Sequence, residues 1–211
     1  MLPLEKKCRV NNDFINLKEV SVQLVRLSQG KNDWDKLNAV LTLINKRSAQ
    51  HKVALTAVVQ EAMTYLDSTP SLSVKISLMK TLKDVCDGKI YVEAESAKLH
   101  FMLAKIYEDQ GDIALACDTI QDVHVETYGS LSKTEKALFI LEQIRLNLMR
   151  KDFIRTAIQS RKMNLKTLEE EGFEEIKVKY YVMQIEFQMH QKDAWEISQA
   201  AYKVGYQDYE Y

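Results

Sequence analysis

The chain has 211 residues, of which 46% are hydrophobic and 28% charged, an ordinary balance for a globular protein. It contains only 6 glycines and 2 prolines, the residue types that end helices and build strand turns, so we expect long helices with short connections. The 29 Lys and Arg residues nearly balance the 30 Asp and Glu residues, giving a net charge of −1. This balance excludes a strong general attraction to nucleic acid or to an anionic membrane.

The three cysteines, Cys8, Cys86 and Cys117, are odd in number and widely spaced. They do not suggest a disulfide framework and favour a reducing compartment. The first ten residues are charged and lack the apolar core of a secretory signal. No segment reaches the roughly 18 uncharged apolar residues of a membrane span. We therefore expect a protein of the cytoplasm and nucleus that has no membrane partner.

In the first half of the chain, apolar residues recur at the three- and four-residue spacing of amphipathic helices. Asn16 and Glu19 are spaced for a capping box that would open the first helix, and Gly30 is expected to end it. Asp33 can cap the second helix, and Pro70 suits the first turn of a later one. The four apolar stripes are Leu17, Val20, Leu24 and Leu27; Leu37, Val40, Leu41 and Ile44; Leu55, Val58, Val59, Ala62 and Leu66; and Leu72, Ile76, Met79 and Leu82.

In the second half, Asp87-Gly88 separates the fourth helix from a denser pattern that starts at Glu93. There apolar residues cover two helix faces, which is typical of a helix packed between neighbours. Ser132 and Glu135 predict a capping box for a later helix, and the polar run 169–172 is the expected loop. The next helices carry Phe153, Ala157 and Ile158; Ile176, Tyr180, Met183 and Phe187; and Ile197, Ala201 and Val204.

A turn marker repeats in this half as Gly111-Asp112, Lys151-Asp152 and Lys192-Asp193, with the aspartates 40 and then 41 residues apart. Each marker lies between two apolar helices, so the sequence predicts a helix-turn-helix repeat. Around Tyr107 the pattern approaches a tetratricopeptide repeat, but His100 stands where tryptophan is usual, and the spacing is nearer the HEAT range. We predict an all-α fold: a right-handed α-solenoid of TPR/HEAT-like helical hairpins with about ten helices, forming a single domain over residues 1–211.

Motifs that carry catalysis or bind cofactors do not occur: the sequence has no glycine-rich phosphate loop and no HExxH, CxxC or GxSxG. The prediction is therefore a protein that is not an enzyme, with no catalytic, cofactor-binding or metal-binding residue and no small-molecule substrate. Cys117 and His124 are seven residues apart and could share a helix face, but two further metal ligands are missing. A thiol in the core and a half-exposed imidazole are the favoured interpretation.

Three further groups of side chains have alternative interpretations. Glu169, Glu170 and Glu171 could bind cations, but consecutive loop carboxylates are usually solvated. The basic pairs Arg161 and Lys162, and Lys177 and Lys179, are too small for a nucleic-acid surface, and the neighbouring Tyr180 is expected to pack in the core, with Tyr181 beside it. A C-terminal tyrosine cluster suits an interface and a capping surface equally well; it consists of Tyr202, Tyr206, Tyr209 and Tyr211.

Specific stretches resemble the PCI family of helical subunits, which is shared by the proteasome lid, the COP9 signalosome and a translation initiation factor. The resemblance runs from about Asn32 to Phe187. It is carried by residues 32–38, 89–95, 125–130 (Val-Glu-Thr-Tyr-Gly-Ser), 139–146, 151–156, 160–162 and 178–181.

The resemblance implies the N-terminal solenoid arm of a PCI protein, which acts as a non-catalytic scaffold of the proteasome lid in ubiquitin-dependent degradation. Its expected partners are other proteasome lid subunits and the ATPase ring or core particle. The family's winged-helix module is not expected within residues 1–211. The alternative is a scaffold of the signalosome or of an initiation-factor complex. A catalytic or nucleic-acid-binding solenoid is a third hypothesis, which would require a metal-lined or basic groove.

Overall fold

The computed structural model describes residues 1–47 and 50–205, and within these ranges all regular structure is helical. Eleven α-helices and four short 3-10 helices are present in this part of the chain, so the all-α prediction is confirmed. The α-helices are α1 Leu2–Val10, α2 Phe14–Gln29, α3 Trp34–Lys46, α4 Lys52–Met63, α5 Leu72–Cys86, α6 Glu93–Asp109, α7 Ile113–Ile120, α8 Lys133–Arg150, α9 Phe153–Ser160, α10 Glu174–Gln191 and α11 Ala194–Gly205.

Helix α1 is a finding that the sequence pattern did not predict. The Glu5 side chain of α1 is fully buried, with one carboxylate oxygen 3.4 Å from Arg9 Nε and the other paired with the guanidinium of Arg47, just after α3. A buried carboxylate is costly unless it is paired, so this cluster ties α1 to the end of α3. Cys8 adds an apolar contact with Leu17 and Ala54.

Two predicted helix starts are wrong. Helix α2 begins at Phe14, because Asp13 accepts a hydrogen bond from the Asn16 amide at 3.2 Å, so Asn16 and Glu19 form no capping box. Pro70 lies outside α5, which begins after Ser71; the Ser71 hydroxyl accepts from the Val74 amide. In both cases the residue directly before the helix, Asp13 or Ser71, supplies the side-chain oxygen that caps the first-turn amides.

Other predicted boundaries are confirmed. Gly30 follows α2, and the Asp33 carboxylate accepts from the Lys36 amide at the start of α3. Ser132 and Glu135 form the predicted reciprocal capping box at α8, with the Ser132 amide donating to Glu135 Oε2 at 2.9 Å. Helix α5 ends before Asp87-Gly88, as expected. Short polar residues that cap helices therefore located these boundaries reliably.

The predicted turn marker corresponds to a turn that recurs within this chain. In each turn, a residue with left-handed backbone is followed by an aspartate that caps the next helix. The three predicted turns all have this form, and Asn12-Asp13 and Asn32-Asp33 add two more examples. The φ angles are 55° at Asn12, 51° at Asn32, 81° at Gly111, 62° at Lys151 and 60° at Lys192. The same turn therefore joins successive helices in both halves of the chain.

The contacts divide the chain into two compact units, Met1–Leu103 and Ala104–Tyr211. In the first unit, α2 packs against α3 and α4, and α3 packs against α5. In the second unit, α8 packs against α7, α9 and α10, and α10 packs against α11. Helices that contact both the next helix and the next but one are typical of stacked helical hairpins. The single domain and the right-handed superhelix stay predictions.

Polar contacts between hairpins confirm a repeat spacing within each unit, because they join residues 32 to 39 positions apart in sequence. This separation is close to the length of one helical repeat. Side chains at equivalent positions of neighbouring hairpins therefore contact each other. Examples are Arg26 with Glu61, Asn38 with Ser77, Gln60 with Glu95, Arg145 with Glu108, and Lys133 with Glu170.

Candidate protein-interaction surface

Buried amide side chains hold the segment that follows α7, where the Val-Glu-Thr-Tyr-Gly-Ser stretch lies. The Gln143 Nε2 group of α8 donates to the carbonyls of Ile120 and Val123 at 2.7 and 2.9 Å. Gln159 Nε2 of α9 donates to the Gln121 carbonyl at 2.9 Å. The last carbonyls of a helix have no partner within the helix, so these amides add hydrogen bonds at the end of α7, where the Ile120 carbonyl also accepts from the Val123 amide at 3.2 Å.

A bidentate ion pair joins α6 to α8. Arg145 donates to both carboxylate oxygens of Glu108, at 2.6 and 2.7 Å, and also to Glu142. The hydrogen bonds from Arg145 hold the pKa of Glu108 below its ordinary value. Paired, planar contacts of this kind fix geometry as well as contributing energy. The charged side chains here serve the packing of helices.

The Cys117 thiol and the His124 imidazole lie in different surroundings. Cys117 is fully buried and its Sγ donates to the Leu146 carbonyl at 3.1 Å, and burial raises the pKa of its thiol. His124 is largely exposed, with Nδ1 2.9 Å from Lys162 Nζ and 3.3 Å from Glu126. A core thiol and an exposed imidazole match the favoured sequence interpretation. Within residues 1–47 and 50–205, no group of three or more His, Cys, Asp and Glu side chains is placed to hold a metal ion.

Two of the three loop carboxylates, Glu169 and Glu170, form ion pairs, whereas the sequence favoured solvated carboxylates. Glu169 accepts from Lys177 Nζ at 2.6 Å, and Glu170 accepts from Lys133 Nζ at 2.6 Å. Position 169 ends a 3-10 helix, Thr167–Glu169, so the predicted loop is partly helical. These pairs fasten the loop to α8 and α10, and they neutralise lysines that could otherwise contribute to a basic face.

A small cavity of about 180 Å³ lies beside this loop, lined by Lys133, Lys136 and Lys162 together with Glu126. Three lysines around one cavity could suggest an anion site. However, Lys133 is paired with Glu170, and Lys162 Nζ lies 3.4 Å from Glu126. Most of the positive charge is therefore compensated locally, and the cavity is not a strong anion site.

The two adjacent tyrosines of α10 pack in the second unit, as predicted for Tyr180. The Tyr180 hydroxyl donates to the Ser160 carbonyl at 3.3 Å, and burial raises its pKa to about 12. Tyr181 accepts from Lys203 Nζ of α11 at 3.0 Å. In the C-terminal tyrosine cluster, Tyr202 is exposed on α11, whereas Tyr206, Tyr209 and Tyr211 lie outside the described residues.

Helix α9 buries its predicted apolar stripe only in part: Phe153 and Ala157 are half-buried, whereas Ile158 is exposed. Its buried residues are Thr156, Gln159 and Ser160, whereas Ile154 and Ile158 are exposed. Gln159 and Ser160 are held inside by hydrogen bonds, since Gln184 Nε2 of α10 donates to the Ser160 hydroxyl at 2.8 Å. The expectation that Ile158 faces the core is therefore wrong, because polar partners on α7 and α10 select the opposite face.

Exposed apolar side chains occur at several places in the second unit, and two of its turns are among them. Met149 and Ile154 flank the turn between α8 and α9, and Met189 and Trp195 flank the turn between α10 and α11. Their exposed fractions are 49%, 78%, 64% and 70%. We call these four residues the turn edge. The turn edge was not predicted from the sequence. The feature that could have indicated it is that all four residues flank the Lys-Asp turn markers.

In the part of the chain that the structure describes, no helix combines the length and apolar character needed to cross a membrane.

The chain is similar to known proteins at the level of a family and of individual relatives. The model of a family described as PSMD12/CSN4, N-terminal, matches residues 1–209. The chain is 38% identical over 198 residues to the 26S proteasome non-ATPase regulatory subunit 12 of Dictyostelium discoideum, covering 94% of this chain and 44% of that protein.

Two further relatives show the same relationship. The chain is 36% identical over 201 residues to the 26S proteasome regulatory subunit RPN5 of Saccharomyces cerevisiae, covering 94% of this chain and 45% of that protein. It is 45% identical over 164 residues to the 26S proteasome non-ATPase regulatory subunit 12 homolog A of Arabidopsis thaliana, covering 78% and 37%. The chain spans less than half the length of these relatives.

Proposed function

Because this chain belongs to the PSMD12/CSN4 N-terminal family, we propose that it is a non-catalytic scaffold of the proteasome regulatory particle lid. In this role it supports ubiquitin-dependent protein degradation through protein–protein contacts. The observation that carries the proposal is the similarity of most of the chain to subunits of the 26S proteasome in an amoeba, a yeast and a plant.

The arrangement of side chains supports a scaffold. Charged residues of neighbouring hairpins form ion pairs with each other, as in the Arg145–Glu108 and Arg26–Glu61 pairs. Apolar side chains remain exposed at the turn edge. Stacked hairpins offer an extended surface, and their outer residues are available for contacts because the core is formed by the stacking faces.

The partners that follow from the proposal are other lid subunits and the ATPase ring or core particle, in the cytoplasm and nucleus. The relatives are named regulatory and non-ATPase subunits of the 26S proteasome, which supports a role in assembly rather than in chemistry. We propose no cofactor, metal or nucleic-acid partner.

A second candidate is a subunit of the COP9 signalosome, because the family description covers CSN4 as well as PSMD12. Affinity purification of the tagged protein from cells that make it, followed by quantitative mass spectrometry, separates the two. We expect proteasome regulatory subunits in near-equal amounts with the bait, well above a tag-only control. Recovery of signalosome subunits instead would favour the second candidate, and recovery of neither set would contradict both.

A further inference from the structure

A groove runs along α10 in the second unit. It consists of two adjoining cavities of about 420 and 430 Å³, one shared with α11 and the other with α9. The walls common to both cavities are formed by Leu165, Tyr180, Gln184 and Gln188. On α11 the groove is lined by Trp195, Glu196, Gln199, Ala200 and Lys203. Because these five side chains border the same cavity, they belong to one continuous surface.

Helix α11 packs mainly against α10 and is otherwise little covered. Among its residues, all of which the structure describes, only Ala200 is buried. Trp195 is 70% exposed. Residues four positions apart are neighbours on a helix surface, so Trp195, Gln199 and Lys203 follow one another along one side of α11. The helix therefore presents an aromatic ring, an amide and an ammonium group in a row beside the groove.

One acidic and one basic side chain border the groove on α11. Glu196 and Lys203 are seven positions apart, or about 10.5 Å along the helix. Lys203 Nζ donates to the Tyr181 hydroxyl at 3.0 Å and lies 5.0 Å from the centre of its ring, so the ammonium group is held beside the groove. Within the described residues, neither Glu196 nor Lys203 forms an ion pair. Glu169 contributes to the raised pKa of Lys203, after the hydrogen bond to Tyr181, but its carboxylate is paired with Lys177.

We propose that this groove binds α11 of a second copy of the chain, related to the first by a twofold axis. The inference goes beyond the proposed scaffold function and does not rest on it. Under twofold symmetry each contact occurs twice. Two antiparallel α11 helices that cross near Gln199 place Glu196 of each copy opposite the partner's Lys203. The two Gln199 amides, each able to donate and to accept, then meet near the axis.

The arrangement of charge favours a second copy over other occupants. A nucleic acid or an anionic surface requires a net positive charge, which Glu196 and Lys203 together do not supply. A helix of another protein fits only if its own charges run in the opposite direction, whereas a second α11 meets this condition by symmetry. Stable interfaces bury about 1,200–2,000 Å² in total, and a pair of 12-residue helices is small by that standard. We therefore expect a weak dimer.

The test is sedimentation equilibrium of the purified 211-residue chain at concentrations up to roughly 1 mM. We expect a monomer–dimer equilibrium. Glu196→Lys and Lys203→Glu should each weaken association about tenfold, because like charges then face each other across the axis. The variant that carries both substitutions should regain the native association constant. An equimolar mixture of the two single variants should associate more tightly than either alone.

Trp195→Ser should weaken the dimer several-fold, because the ring is covered by the partner. The matched control is Asp122→Lys, which makes the same change of charge at an exposed carboxylate of the second unit that does not line the groove. It should leave association unchanged. Thermal unfolding of each variant checks that it is folded; Glu196 and Trp195 are exposed, so their variants remain informative if Lys203→Glu does not fold.

The proposal is overturned if the native chain is strictly monomeric over this concentration range, or if Asp122→Lys weakens the dimer as much as Glu196→Lys. It is also overturned if a dimer forms that neither Glu196→Lys nor Trp195→Ser weakens, or if the folded double variant does not regain association. These measurements involve no other subunit, so their failure leaves the proposed function standing.

Discussion

At the scale of single residues, the free energy of unfolding depends most clearly on which residue type occupies the left-handed position of each turn. Gly111 has φ 81°, and a Cβ built there meets no atom within 4 Å, so a substitution acts through the backbone alone. A side chain in the left-handed region costs roughly 1–2 kcal/mol. The cost is therefore present at Lys151 and Lys192 and absent at Gly111.

We expect Gly111→Ala to lower the free energy of unfolding by about 1 kcal/mol, because alanine disfavours the left-handed region. Lys151→Gly should raise it by a similar or smaller amount. Urea unfolding followed by circular dichroism measures both. Gly129→Ala is the control, since Gly129 has no positive φ and its added Cβ also meets nothing within 4 Å. Equal losses in Gly111→Ala and Gly129→Ala would show that backbone conformation is not the cause.

His100 couples the stability of the first unit to pH. Burial lowers its pKa, against the opposing effect of its hydrogen bond to the Ser96 carbonyl at 2.8 Å; Lys83 lowers the pKa further, and Asp87 raises it. The unfolded histidine titrates near pH 6.5, about its ordinary value. Below that pH the unfolded chain binds more protons than the folded one, so stability present above about pH 6.5 is lost as the pH falls toward the lowered pKa.

Chemical unfolding at about pH 7.5 and about pH 5.5 tests this coupling. We expect the native chain to lose stability on acidification and His100→Gln to lose less. His124→Gln serves as the control because His124 is exposed and lies in the other unit. The same loss in His100→Gln as in the native chain would contradict the coupling.

At the scale of helices, the end of α7 depends on a side chain that hydrophobic patterning cannot identify. Gln143 is fully buried on α8 and donates to two carbonyls beyond its own helix. Replacing it by leucine leaves both carbonyls without this donor, which costs about 1–3 kcal/mol for a buried group. We expect Gln143→Leu to lower the stability measured by urea unfolding by that amount. The exposed Gln199→Leu should change it by less than about 0.5 kcal/mol, and a similar loss in both variants would contradict this role.

Helix starts were predictable where a capping side chain stood directly before an apolar stripe, as at Asp33, Asp112 and Ser132. Helix α1 was not predictable from the sequence, because its buried Glu5 is paired with Arg47, a residue distant in sequence. The orientation of α9 also escaped the pattern. Periodicity shows which residues share a face, but here polar partners on α7 and α10 decide which face is buried.

At the scale of the whole molecule, the repeat and the proposed function had different sources in the sequence. The turn markers predicted the hairpins, and the polar contacts between residues 32 to 39 positions apart confirm how hairpins pair within each unit. The function came from the resemblance of specific stretches. The turn edge could not be predicted, because the exposure of Ile154 and Trp195 depends on how neighbouring hairpins pack.

The central claim is that this chain works as a scaffold within the proteasome regulatory particle. Cross-linking mass spectrometry of the particle purified from cells that make this protein tests it most directly. We predict cross-links from lysines of this chain to lysines of other regulatory-particle subunits, in addition to links within each of its two units. Intact regulatory particles without this chain, or cross-links that join it only to subunits of another complex, would contradict the claim.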